Sequence, residues 1–585
     1  TQVVLLVTSR EALNQQAEWL FHVHGLPFPN EAQHKQIETF SAVQLFRDRA
    51  RQVRSEFALT PETRPWVTRI CQMVDGIPLG IELAATWVRL YSCEQIAERI
   101  QQNLDFLATT RKDVPERHRS LRALFEHSRS LLSEEGRAIF RQLAIFYGEF
   151  SLAAAEQVTG ASPFHLLGMV DQSLLRECAM ERYEMHGVLK QYALEQLERF
   201  PPEKKRAQDA HCRYYSAFLQ RHQGQLTSAE QGAALARIEQ EIENIRAAWQ
   251  WAVDQGIVQA LEEALDSLYL YYETRSLFEE GKELFSRAAE RLGEAALSAE
   301  QRLLLGKLRA REGVFSRPLG LYAASQAALE ESLSLLRALE AWSEVAFVLN
   351  NLGILAINQG DYGRAQALLQ EGYGLYRQSG NRRGLAFCLN NLGFVAIARG
   401  EHAEGKQLLR RGLTLFRESG DVQGAASALA NLGEVAHSLG KFEEARQLYA
   451  ESLQIQESMG NRMAMLYSLI GLGNVASALR KSSEARRHFQ ETLHIAREIQ
   501  ALPRLMDALV GLATVMAQEG DPLQAVELLT LILHHPACDR WAQERAQQLL
   551  AHYAADLPAD LVATAQARGR TASLDRLLDR LLSKS

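Results

Sequence analysis

Leu349-Asn350-Asn351-Leu352-Gly353 returns as Leu389-Asn390-Asn391-Leu392-Gly393, as Leu429-Ala430-Asn431-Leu432-Gly433 and as Leu469-Ile470-Gly471-Leu472-Gly473. A weaker copy begins at Leu509, with Ala513 in the glycine place. Two further landmarks keep the same forty-residue step: Gly360, Gly400, Gly440, Arg480, Gly520, and Ala365, Gly405, Ala445, Ala485, Ala525. Self-similarity at a fixed period is the mark of a repeat architecture. Within one unit, Leu349, Leu352 and Ala356 recur at three and four residues and form one apolar helix face. Gly353 lies in that face and lets a second helix come close. Gly360 ends the first helix, because glycine takes the left-handed conformation of a C-terminal cap. A second amphipathic helix follows with Ala365, Leu368, Leu369 and Leu375, and Ala365 is expected to meet the first helix.

The small, large and turn residues all stay in phase from about 300 to 535. This pattern resembles the tetratricopeptide repeat, in the spacing of kinesin light chains and related peptide receptors. The resemblance implies an α-α superhelix with a concave face. In repeats of that kind an Asn just before the Leu-Gly pair lines the concave face and reads a peptide. Asn351, Asn391 and Asn431 hold the place, and Asn350 and Asn390 stand beside it. An amide donates and accepts at once, which suits an extended backbone. The competing reading is a solvated polar position on an exposed helix.

Working outward, the 585 residues imply several domains. A chain 47% hydrophobic and 23% charged can form ordered cores throughout. Net charge of −7 speaks against a surface that coats nucleic acid. The cysteines at 71, 93, 178, 212, 388 and 538 form no CxxC pair and read as free core thiols of a reducing compartment, hence a cytoplasmic protein. No apolar run reaches membrane-spanning length, and no signal peptide is read at the front. Thr1 enters directly on a strand-like run, so the sequence is expected to be a piece of a longer protein.

That run, Val3-Val4-Leu5-Leu6-Val7, lacks polar alternation, as a buried parallel strand does. Arg10 follows its carboxyl end, where open α/β sheets bind ligands. Helical patterns span 41–58 and 61–75, and Pro78 opens another helix, where it loses no needed N–H. LLVTSRE at 5–11, LFRDRAR at 45–51, DGIPLGIELAA at 75–85 and RHRSLRALFEHSRSLLS at 117–133 occur in order. RYEMHGVLKQYALEQL at 182–197 and IEQEIENIRAAWQWAV at 238–253 continue the series. Together they resemble the nucleotide-binding core of signal-transduction ATPases with numerous domains, in the NB-ARC-like group of bacterial regulators.

The resemblance implies a mainly α chain built from the end of an α/β nucleotide-binding domain (1–35), a helical lid (36–112) and a winged helix (113–200). A helical connector (201–300), a repeat superhelix (301–535) and capping helices (536–585) follow. It implies ATP or ADP as cofactor, with Mg²⁺ in the intact parent. Arg10 would sense the terminal phosphate, which a guanidinium reads through paired hydrogen bonds. Gly76 and Pro78 would form the loop against adenine, and His186 would contact the diphosphate of the resting state. Gly187 replaces the Asp of the family's Met-His-Asp motif, and a buried polar role for His186 is the competing reading.

The chain shows no glycine-rich phosphate loop ending in Lys-Ser/Thr. The nearest stretch, Gly400 to Gln407, lacks the hydroxyl residue and falls inside a repeat. The chain by itself is therefore not expected to hydrolyse ATP. In the winged-helix stretch, Leu174-Leu175-Arg176 and Arg182-Tyr183-Glu184-Met185 read as a hairpin. The helix before it, near 162–172, has no Lys or Arg, so direct DNA binding is not expected. Trp249 and Trp251 read as packing, and so do Tyr269, Tyr271 and Tyr272. His534, His535 and Cys538 lack a fourth metal ligand and read as a loop.

Two functions follow. One is the signal-sensing part of a nucleotide-gated switch. In it the superhelix binds a protein or peptide and controls an effector outside this chain, with transcription control the expected output and a signal-induced oligomer of the parent possible in that scheme. The other is a repeat scaffold without a working switch.

Overall fold

The computed structural model describes residues 25–29, 37–108, 120–228, 230–293 and 297–582. Arg10 and the strand expected at 3–7 lie outside them. The chain divides into two compact units, 1–216 with 240–251, and 217–239 with 252–585. Both are mainly α-helical. Among the described residues no helix is long and apolar enough to cross a membrane.

The first unit begins with helices Ser41–Val53, Arg64–Met73, Pro78–Thr86 and Cys93–Gln102. Pro78 stands at the first helical turn, as its missing N–H allows. The helix expected to reach 58 stops at Val53, and its partner starts at Arg64. Between them Thr60 and Thr63 hydrogen-bond to each other's backbone and hold a turn. Helices Leu121–Ser130 and Glu134–Leu143 then lead to β1 (Glu149–Ser151). After helices Leu152–Thr159 and Pro163–Asp171 come β2 (Arg176–Ala179) and β3 (Arg182–Glu184), then helix Gly187–Glu198. The strands form an antiparallel sheet in the order β1-β3-β2.

The hairpin is where the sequence suggests, but its first strand begins at Arg176. Leu174 and Leu175 instead donate their amides to the Met169 carbonyl and close the preceding helix. Both are buried there. Helix Pro163–Asp171 turns Phe164 and Leu167 to solvent. Trp249 is buried, and the Trp251 indole donates to Asp209 at 2.9 Å, so both tryptophans pack helices together.

The second unit is an α-α superhelix. Helix pairs run from Val258–Thr274 with Phe278–Gly293 to Leu502–Gln518 with Pro522–His534. From 320 to 520 every twentieth residue has a positive φ, so each turn between helices uses one left-handed residue. The sequence reading found these turns only at every second position. Arg480 takes the glycine place at φ 60°, which costs an L-residue about 1–2 kcal/mol. The close approach expected at Gly353 is present: a Cβ there would lie 2.7 Å from Leu369 Cγ of the second helix. Asn381, Asp421 and Asn461 cap the first helices by accepting from the amides of Gly384, Gly424 and Ala464. Tyr271 and Tyr272 are core residues, and Tyr269 packs edge-on against Phe315 and Phe347.

At the far end, helices Ala559–Thr571 and Leu574–Leu582 cover the last repeats. Leu578 and Leu581 are buried, and Gln490 donates to the Leu581 carbonyl at 3.2 Å. This closes the exposed edge of the solenoid.

Candidate functional site

The first helices of the repeats line a cavity of about 490 Å³ in the second unit. Of the five asparagines singled out by sequence, Asn390, Asn391 and Asn431 are on its wall. Asn350 and Asn351 are not on that wall and are buried, at 8% and 6% exposure. Asn391 Nδ2 donates to Asn350 Oδ1 at 3.0 Å, and Asn431 Nδ2 donates to Asn390 Oδ1 at 3.1 Å. Each rung ties one repeat to the next. Asn351 instead bonds its own helix, donating to the Phe347 carbonyl at 2.9 Å. A side-chain amide offers two donors and an acceptor oxygen. After the rungs form, the Oδ1 atoms of Asn391 and Asn431 have no hydrogen-bond partner among the described residues.

The asparagine row stops for a steric reason. Leu369 and Leu409 on second helices are followed twenty-two residues later by Asn391 and Asn431. Tyr449 and Phe489 are followed at the same distance by Gly471 and Gly511. A Cβ at Gly471 would lie 2.3 Å from the Tyr449 ring, and one at Gly511 2.2 Å from the Phe489 ring, both far too close. The larger second-helix side chain fills the space that an asparagine uses. Tyr449 then gives its hydroxyl to Glu434 on the cavity wall at 2.7 Å.

The superhelix curls until distant repeats touch. A Cβ at Gly320 would lie 2.7 Å from Ala537 Cβ, and one at Gly360 2.5 Å from Arg540 Cγ. At Gly400, Gly440 and Gly520 the same space is open. Asn358 reaches Asp539 at 3.4 Å, and the Met463 amide donates to Ser276 Oγ at 3.1 Å. The segment read as a loop before terminal helices thus puts Asp539 and Trp541 on the cavity wall. Nothing local in the sequence marks this, because the partners lie some 180 residues apart. His534, His535 and Cys538 turn to nearby backbone groups.

Arg504 sits between Asp507 and Asp539, at 2.6 Å from each. Burial pushes the Asp507 carboxyl up to about 7, against the pull of Arg504 and with help from Asp539. The folded chain therefore holds this proton where the unfolded chain has lost it. The group's destabilising effect is absent below about pH 4 and develops fully as pH rises through about 7.

In the first unit, His186 and the loop at 75–78 come together. His186 Nδ1 lies 2.8 Å from Asp75 Oδ2. Asp75 and Gly76 both have positive φ, and Gly76 accepts from the Leu26 amide at 2.8 Å. A Cβ on Gly76 would collide with the Leu26 carbonyl, so the turn needs glycine. His186 stands just before helix Gly187–Glu198 with its side chain turned to Asp75 rather than capping the helix, and Pro78 opens Pro78–Thr86. Nδ1 engages Asp75, and Nε2 has no hydrogen-bond partner among the described residues. A Cβ at Gly187 would make only an ordinary 3.7 Å contact with the Met73 carbonyl, so sterics do not exclude the family's Asp. No local pattern pairs Asp75 with His186: Asp75 opens the DGIPLGIELAA stretch, and its partner lies more than a hundred residues away.

Two family models described as Tetratricopeptide repeat match residues 346–371 and 385–458. A protein of Mycobacterium tuberculosis (H37Rv), named "Putative HTH-type transcriptional regulator", is 32% identical over 302 residues, covering 49% of this chain and 32% of that protein. An uncharacterised protein of the same strain is 32% identical over 208 residues, covering 34% of this chain and 50% of its own length. The chain thus spans about a third to a half of the curated relatives it matches. The crystal structure of a signal-transduction ATPase with numerous domains and a tetratricopeptide repeat sensor, from Pyrococcus horikoshii, aligns at TM-score 0.49 and 13% identity. It covers 94% of this chain and 75% of that one. The forty-residue units of the second unit are tetratricopeptide repeats, forming a superhelical protein-interaction domain in a chain similar to bacterial regulators.

Proposed function

We propose that this chain is the sensing and gating part of a nucleotide-controlled regulator, in which the repeat superhelix takes up a peptide or protein segment as the signal. The observation that carries the reading is the cavity with Asn391 and Asn431 on its wall, their carbonyl oxygens unpartnered. Such oxygens accept from the amides of an extended backbone. A volume of about 490 Å³ suits a short segment, since ligand pockets run to roughly 300–1,000 Å³.

Nucleotide control is supported by the meeting of His186 with the Asp75-Gly76 turn. His186 Nε2 would contact the diphosphate, and Gly76 and Pro78 the adenine. Arg10 would read the terminal phosphate. ATP or ADP is the cofactor in this reading, with Mg²⁺ bound in a longer parent. Signal and nucleotide act on one another by favouring different states of the same protein. Transcription control in the cytoplasm is the output, through a part of the parent outside this chain; the name of the mycobacterial relative supports it.

The test uses a parent that carries the upstream phosphate-binding segment. The purified parent should hold ADP, and His186→Ala or Asp75→Asn should lower the amount retained. Equal nucleotide content in parent and variants would leave a peptide-binding scaffold without a switch.

A further inference from the structure

Two opposite charges on the cavity wall, Arg317 and Glu273, act on each other without touching: among the described residues neither makes a direct ion pair or side-chain hydrogen bond. Arg317 follows helix Ala299–Ser316 and lines the cavity. Its guanidinium makes no ion pair or side-chain hydrogen bond, and its Nε is buried without an acceptor. Glu273 lies near the end of helix Val258–Thr274 and also lines the cavity, and its carboxylate has no ion-pair or hydrogen-bond partner. The other charges on this wall are matched. Arg504 has Asp507 and Asp539, and Glu434 has the Tyr449 hydroxyl. The charges of Arg383 and Arg317 both act on Glu273, and Arg383 is itself held by Asp421 at 2.6 Å. Two half-buried opposite charges that do not touch keep a desolvation cost that a ligand carrying both signs, placed between them, returns.

We propose that the ligand of this cavity is a short zwitterionic peptide, its carboxylate held by Arg317 and its ammonium by Glu273. The proposal rests on the peptide reading above and names the chemistry of the ligand. A nucleic acid or polyphosphate does not fit, because the wall carries Glu273, Glu434, Asp507 and Asp539 against Arg317 and Arg504. A folded domain does not fit the volume. Phe387 and Phe394 on the wall take apolar side chains, while Asn391 and Asn431 take the backbone. Arg317 is suited to the carboxylate because its planar fork pairs with both oxygens.

The test offers the immobilised chain three mixtures of synthetic random pentapeptides: free at both ends, amidated at the C-terminus, and acetylated at the N-terminus. Mass spectrometry measures what is retained. The free mixture should be retained at least tenfold better than either blocked one. These arms need no substitution. In Arg317→Gln the preference over the amidated mixture should disappear while the preference over the acetylated one remains, and Glu273→Gln should do the reverse. Where Arg317→Gln does not fold, as judged by its melting curve, Arg317→Lys keeps the charge and must still prefer the free carboxylate. Equal retention of free and blocked mixtures overturns the ionic anchors and leaves peptide binding standing. A preference unchanged by folded Arg317→Gln or Glu273→Gln overturns the assignment to these side chains. Retention of no peptide overturns the peptide reading as well.

Discussion

The middle and the later repeats solve one packing problem in opposite ways. Around Asn391 and Asn431 the second helices present Leu369 and Leu409, and the space left over holds an amide that bonds the neighbouring repeat. Around Gly471 and Gly511 the second helices present Tyr449 and Phe489, and the rings occupy that space themselves. One fold position is therefore a polar rung in one half and a steric vacancy in the other. The amide rungs lie in the middle repeats, and the later ones contribute the Tyr449–Glu434 contact.

The sharpest way to break this contrast is Gly471→Val. The added side chain must displace the Tyr449 ring, which should cost on the order of 3 kcal/mol in urea unfolding. Adding Tyr449→Leu should recover most of the loss; no recovery would mean the ring and the glycine are not a matched pair. Next in size is a comparison of turns. Gly400→Ala meets open space and should cost about 1–2 kcal/mol for its left-handed backbone alone. Gly320→Ala adds a clash with Ala537 and should cost about 1–3 kcal/mol beyond that. Equal melting shifts for the two would show that the superhelix does not close on itself there.

Smaller again is the difference between neighbouring rungs. Asn391→Ala leaves the buried Asn350 oxygen with only the weak Cys388 thiol donor at 3.7 Å and should cost about 1–3 kcal/mol. Asn351→Ala removes only a bond within one helix and should cost about 0.5–1.5 kcal/mol. An Asn391→Ala chain as stable as the parent would make that position a ligand contact alone.

The repeat was legible because each landmark serves a local need: Gly353 for close approach, Gly360 for the left-handed turn, and Leu349 and Leu352 for the apolar face. These needs recur every forty residues and reinforce one another. The asparagines were legible as a row but not as a ladder. Whether Asn350 faces a ligand or Asn391 depends on rotation between repeats, which one helix does not specify. The closure of Gly320 and Gly360 onto 537–540 was not legible, since it follows from superhelical pitch summed over several repeats. In the first unit, Pro78 announced its helix locally, but the pairing of His186 with Asp75 is a tertiary event. The strand at Arg176 was misplaced because two buried leucines look alike whether they close a helix or start a strand.

Hydrogen–deuterium exchange on the whole chain, with and without the pentapeptide mixture free at both ends, tests the central claim most directly. Slowed exchange in the first helices Arg382–Ala398 and Val422–Ser438, with the second helix His402–Glu418 unchanged, is the predicted result. Protection confined to second helices, or to residues outside the superhelix, would contradict it.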